Sequence, residues 1–212
     1  MILSELYKSN KEEYWNVITH GVPIPLAIGC FFYLLLQTSP GEDNLEYIGV
    51  LLFGLSSILV YLFSMLYHYH WNKPYRSVLR TVDHISIFYL IAGSYSPFTL
   101  IVFEPEAGWR LFVLVWGLAF LGTIFKFFYT GKYEKLSLFL YVALGWLVLI
   151  EYDAFITATE GKTLSLLVTG GVLYCIGVLF YVKDRLPYNH AIWHVFVIAA
   201  NFCHFLAVAN II

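Results

Sequence analysis

Charge is scarce in this chain. Only 12% of its 212 residues are Asp, Glu, Lys or Arg, about half the share of an ordinary soluble domain, and too little to cover a water-facing surface. Cysteine is equally thin. Cys30, Cys175 and Cys203 stand apart inside apolar stretches with no CxxC spacing and no pairing pattern, which removes disulfide frameworks and thiol redox chemistry and leaves them to packing. No heptad repeat, low-complexity run, separate soluble domain or glycine-rich phosphate loop can be read, and no nucleic-acid partner is expected. The opening MILSELYKSNKEEYW is polar and charged, without the basic start and short apolar core of a secretion signal. No cleaved signal peptide is expected, so the first span inserts as an uncleaved helix.

Apolar side chains make up what is present. The chain is 60% hydrophobic and 19% aromatic, with a mean hydropathy of +0.73, the profile of an integral membrane protein with the lipid bilayer as its first partner. Apolar stretches near the ~20 residues that cross a bilayer as helix run over 15–36, 45–69, 78–102, 109–128, 136–155, 164–182 and 189–211. The expected fold is therefore all-α, a single domain of seven transmembrane helices, with the fifth cut short by Glu151 and Asp153. Pro23, Pro25 and Pro97 fall inside spans, where kinks or local unwinding are expected. Turns are expected at Ser39-Pro40-Gly41, Lys73-Pro74, Pro105 and Pro187.

Orientation follows from Lys and Arg. With the N-terminus inside, the inner segments hold Lys8, Lys11, Lys73, Arg76, Arg80, Lys126, Lys132, Lys135, Lys183 and Arg185, against Arg110 and Lys162 outside. This asymmetry places the N-terminus in the cytoplasm and the C-terminus outside, in the cell's inner (plasma) membrane.

That topology sets the depth of the polar residues. His190 and His194 open the seventh span one helical turn apart on one face. Ser64 and His68 close the second, and Asp83 and His84 begin the third, all at the cytoplasmic level. Ionisable groups at membrane depth face the bundle interior or a watery cavity. Three neutral imidazoles, His68, His190 and His194, suit Zn²⁺ and leave a fourth position for water, as in catalytic zinc sites. Asp83 would take a proton from that water or orient it. Ser64 would support the ligands or polarise a substrate carbonyl. A proton relay and plain interhelical hydrogen bonding are the other readings of the same residues.

Asn16, Thr19 and His20 lie near the same face. His20 reads as a fourth ligand or, more commonly for such a residue, as a hydrogen-bond donor to a neighbouring helix or to Asp83. His204 is ten residues beyond His194, roughly 15 Å deeper, and is assigned to packing. His84, turned about 100° from Asp83 around the helix, and His70, in a loop, are peripheral. Glu151 and Asp153 read as solvated carboxylates at the outer end.

Glu13-x2-Asn16-x3-His20, Ser64-x3-His68 followed by Asp83, and His190-x3-His194 resemble the three signatures of the hemolysin III family, the bacterial branch of the progestin and adipoQ receptor family. The resemblance spans the whole chain. It implies zinc held by His68, His190 and His194, with Asp83 and Ser64 around a bound water. The related adiponectin receptors and alkaline ceramidases imply an intramembrane amide hydrolase that cleaves ceramide-like lipids to a fatty acid and a sphingoid base. The bacterial members are named for haemolysis and are also linked to membrane energetics and lipid homeostasis. Unlike the receptors, this sequence has no long polar N-terminal segment, and ligand reception by a folded cytoplasmic domain is not expected.

Two function classes follow. One is a metal-dependent hydrolase of a lipid amide or ester near the cytoplasmic leaflet. The other is a non-enzymatic membrane regulator or transporter in which zinc clasps helices, with haemolysis a secondary effect. A secreted pore-forming toxin lacks a signal peptide, a soluble precursor domain and an amphipathic insertion segment. Gly170-Gly171 and Gly177 permit close helix approach, either within the chain or between copies, so the oligomeric state is not fixed by them.

Overall fold

The computed structural model describes residues 2–38, 44–159, 161–183 and 185–212; the turn expected at Ser39-Pro40-Gly41 lies outside them. Among the described residues there is no strand, and seven helical stretches are long and apolar enough to cross a membrane. The chain runs α1 (Ile2–Gly21), α2 (Pro23–Gln37), α3 (Leu45–Tyr69), α4 (Arg76–Pro97), a π turn (Phe98–Val102), α5 (Pro105–Tyr129), α6 (Glu134–Gly145), a 3-10 turn (Leu147–Glu151), α7 (Tyr152–Ala158), α8 (Gly161–Tyr181) and α9 (Asn189–Val208).

Helix α1 starts far ahead of the expected residue 15. Lys8, Lys11, Glu12 and Glu13 disqualify its first turns as an apolar span, yet they are good helix formers and simply carry the helix onward. The first crossing breaks at Val22, where Pro23 and Pro25 open α2. In the third crossing Pro97 cannot donate to the preceding turn, and the helix widens into the π turn. Nearby hydroxyls make up for the disturbed ladder: Ser96 donates to the Ala92 carbonyl at 3.0 Å and Thr99 to that of Tyr95 at 3.0 Å.

The helices pair as α3 with α4 and α8 with α9, and α1 packs against both α3 and α9. Glycine sets the closeness of the first pair: a Cβ on Gly93 would strike Ser56 and the Leu52 carbonyl. Leu36, Phe127, Phe128 and Phe139 lie exposed on the outside; in a bilayer they form the lipid-facing surface.

The fifth crossing is the exception in packing and in shape. It breaks at Trp146 into the 3-10 turn, and no residue of that turn or of α7 is buried. Tyr95, reaching across from α4, holds the break together. Its hydroxyl donates to the Gly145 carbonyl at 2.8 Å, lies 3.1 Å from that of Leu144, and accepts the Val148 amide at 3.0 Å. Glu151 is also not simply solvated. Arg110 clamps it through two bonds, Nε to Oε1 at 2.5 Å and Nη2 to Oε2 at 2.9 Å, which lets the crossing carry a carboxylate and continue into α7.

Tyr95→Phe deletes only that hydroxyl and leaves the helix break unsatisfied, at a cost of roughly 1–3 kcal/mol. Circular dichroism of the detergent-solubilised protein should then give a melting midpoint lower by several degrees; an unchanged midpoint would mean that the break holds without Tyr95.

Candidate metal centre

Four helix segments meet at one end of the bundle: the second half of α1, the end of α3 and the starts of α4 and α9. Asn189 sets the start of α9 against the end of α8, its amide lying 3.4 and 3.3 Å from the Phe180 and Tyr181 carbonyls in the last turn of α8. His190 and His194 follow on one face. Together with His68 from the last turn of α3 they form a group in which one ring nitrogen from each lies within 4.8 Å of the others, close enough to share one metal ion.

Hydrogen bonds to the far sides of two rings decide which nitrogens are free. His68 Nδ1 lies 2.5 Å from Glu13 Oε2; an ionised carboxylate only accepts, so Nδ1 carries the proton and Nε2 keeps its lone pair. The other Glu13 oxygen is held by Arg76 Nη2, and Asn16 stands 3.4 Å from His68 Nδ1. On His194, Nδ1 is 2.9 Å from the Thr19 hydroxyl, whose single proton is directed to the α1 carbonyls of Trp15 and Asn16 at 2.8 and 3.1 Å. Thr19 therefore accepts from Nδ1, and the lone pair again falls on Nε2.

The Nε2 atoms of His68, His190 and His194 are all buried with no hydrogen-bond partner among the described residues. A buried polar atom without a partner is costly. Three of them converging on one point is the pattern that metal ligands leave when their outer nitrogens are oriented by a carboxylate or a hydroxyl. The donor set thus fits a divalent ion.

The remaining residues divide clearly. Asp83 is buried beside this group, in electrostatic reach of His68, with the Ser64 hydroxyl bonded to its carboxylate. His20 makes neither expected hydrogen bond. Both its ring nitrogens are unpartnered, and the ring stacks on His194 with centroids 3.6 Å apart and planes 16° from parallel. It lies outside the three-histidine group. His84 turns to Glu134, 3.5 Å away, and His70 pairs with Tyr75 in the loop. Glu134 also anchors Arg80 and the fully buried Lys126, at 3.3 and 3.0 Å. Sequence reasoning missed this cluster, as it missed the contacts of Glu13, Thr19 and Arg76; the spacing Glu13, Asn16, His20 on one helical face was the available signal for the first.

An apolar cavity of about 180 Å³ opens at Asp83 and His20 and runs between α4, α6, α8 and α9. Its lining follows α4 from Asp83 to Phe98, a helical rise of roughly 22 Å.

Comparison with known proteins agrees with the motif reading. A family model described as haemolysin-III related matches residues 8–205. The chain belongs to the haemolysin-III family. It is similar to the Hemolysin-3 homolog of Bacillus subtilis (strain 168), 37% identical over 198 residues covering 93% of both chains. Hemolysin-3 of Bacillus cereus is 36% identical over 93% of this chain and 90% of its own. The Homo sapiens monocyte to macrophage differentiation factor is 32% identical over 91% of this chain and 81% of its own. No solved structure matches significantly. Like its relatives in the haemolysin-III family, the chain is a multi-pass membrane protein, and its histidine group could hold a metal ion.

Substitutions at two positions probe the geometry. Glu13→Gln should weaken metal binding about 10–100-fold in competition with a chromophoric chelator while helicity is kept; unaltered affinity would remove Glu13 from the site. His20→Phe should keep the ion and His20→Ala should bind it less tightly, because the ring plane rather than a nitrogen is what His194 contacts. Complete metal loss in His20→Phe would instead make His20 a ligand.

Proposed function

We propose that this protein is a zinc-dependent hydrolase of a lipid amide or ester, acting within the membrane near its cytoplasmic face. One observation carries the reading: the orphaned nitrogens of His68, His190 and His194 lie close to Asp83, a buried carboxylate that itself lines a long apolar cavity. A helix clasp needs the histidines but has no use for a buried carboxylate facing such a cavity. Orientation is supported by the basic residues. Arg76, Arg80, Lys126, Lys132, Lys135, Lys183 and Arg185 lie at this end of the helices, with Arg110 and Lys162 at the other.

His68, His190 and His194 would hold Zn²⁺ through Nε2, the ion and donor type that match best. When bound, the ion supplies Lewis acidity toward a carbonyl and lowers the pKa of water at the site. The cavity walls take the acyl chain and exclude bulk water, and the scissile carbonyl comes to rest near Asp83. Asp83 accepts a proton from the attacking water and returns it to the departing nitrogen or oxygen, so that amide or ester plus water gives acid plus amine or alcohol. Ser64 orients the Asp83 carboxylate, and Glu13, Thr19 and His20 fix the imidazoles.

Asp83→Asn separates chemistry from metal holding. The variant should keep its fold and its zinc but lose turnover of a lipid amide or ester by roughly 10²–10⁴-fold, with the uncleaved lipid accumulating in lipidomic profiles of cells that carry it. Lipid profiles and phenotype identical to wild type in Asp83→Asn cells, with His68→Ala cells impaired, would favour a regulator or transporter in which zinc clasps α1, α3 and α9.

A further inference from the structure

The cavity is not uniformly apolar, and its polar side chains differ in one respect. Beyond the histidine end, Ser94, Tyr95, Thr99 and Tyr141 all give their hydroxyl protons to backbone carbonyls, those of Ile91, Gly145, Tyr95 and His84. They are spent. Tyr174 on α8 and His204 on α9 are not: the Tyr174 hydroxyl and His204 Nδ1 are buried and have no hydrogen-bond partner among the described residues. The two rings face each other edge to face, with centroids 5.6 Å apart, and both line the cavity.

The His204 tautomer is set by its other edge. Nε2 and Cδ2 are packed against Gly170, where a Cβ would strike both, and that edge of the ring faces the α8 backbone within electrostatic reach of the Leu167 carbonyl one turn earlier. Nε2 therefore carries the proton and Nδ1 is a bare acceptor. Opposite stands the phenol, able to donate or accept. This is more than helix packing, because a packing histidine at membrane depth uses its polar atoms on a neighbouring helix, whereas here one acceptor and one donor are left toward the same space.

We propose that Tyr174 and His204 form a deep polar subsite that recognises a hydroxyl group on the hydrocarbon chain of the bound lipid. A single hydroxyl on the chain satisfies both, donating to His204 Nδ1 and accepting from the Tyr174 phenol. The helix fixes its place on the chain: His204 is ten residues beyond His194 on α9, roughly 15 Å along the axis, so the group sits at mid-chain rather than beside the carbonyl. The subsite rests on the reading of the cavity as a lipid site and adds to it a class of ligand, a mid-chain hydroxylated acyl group.

The test compares stearate with stearate hydroxylated at mid-chain and stearate hydroxylated beside the carboxyl group, each binding to the full chain in lipid nanodiscs. The mid-chain hydroxy acid should bind on the order of tenfold more tightly than the other two, the difference expected when a buried donor and acceptor gain partners. Tyr174→Phe and His204→Phe should each reduce that preference while leaving plain stearate binding intact. Equal affinities in the wild type, or a preference that survives both substitutions, would overturn the subsite and leave the lipid reading standing. Failure of all three acids to bind would overturn both.

Discussion

Inside hydrocarbon a polar atom has only the protein to bond with, and that constraint organises this molecule from end to end. Where proline interrupts the third crossing, Ser96 and Thr99 bond the backbone; where the fifth crossing breaks, Tyr95 does so. Arg110 covers Glu151, and Glu134 covers Lys126. Against this thorough pairing, the exceptions acquire meaning. Among the described residues they include the Nε2 atoms of His68, His190 and His194, with both nitrogens of His20, at one end, and the Tyr174–His204 pair farther along the cavity.

The site exists because helix ends meet there. Each histidine lies in the first or last turns of a crossing, so it reaches the interior without being stranded at the bilayer midplane, and the charged anchors Glu13 and Arg76 sit at the same level. Glu13 joins three helices through two contacts, with its own α1 linked to His68 on α3 and Arg76 on α4. Removing it would therefore release both a ring orientation and a helix junction. The cavity arises from the opposite circumstance. The fifth crossing packs loosely and is bent at Trp146, so the space between it, α4, α8 and α9 is never filled by side chains.

The sequence disclosed those features that depend on local spacing. His190 and His194 are one turn apart in any helix, and the Lys and Arg asymmetry was enough to put His68 and Asp83 at their level before any coordinates were known. Features that depend on distant partners stayed hidden. Glu13 was legible only as the first residue of a signature, because its contacts with His68 and Arg76 join helices far apart in the sequence. Lys126 was read only as one of the inner basic residues that set the orientation, yet it is fully buried against Glu134. His204 read as packing because ten residues separate it from His194, and only the lining of the cavity gives that distance a use. The stacking of His20 on His194 had no signature in spacing at all.

Three imidazoles sharing a single cation are what the proposed chemistry at this end of the bundle depends on. The most direct test is the metal content of the purified protein, measured by elemental mass spectrometry on the wild type and on His68→Ala, His190→Ala and His194→Ala. One zinc per chain in the wild type, lost in each single variant with helical content retained, is the predicted result. A wild-type protein that binds no divalent metal after loading, or variants that hold as much as the wild type, would contradict it.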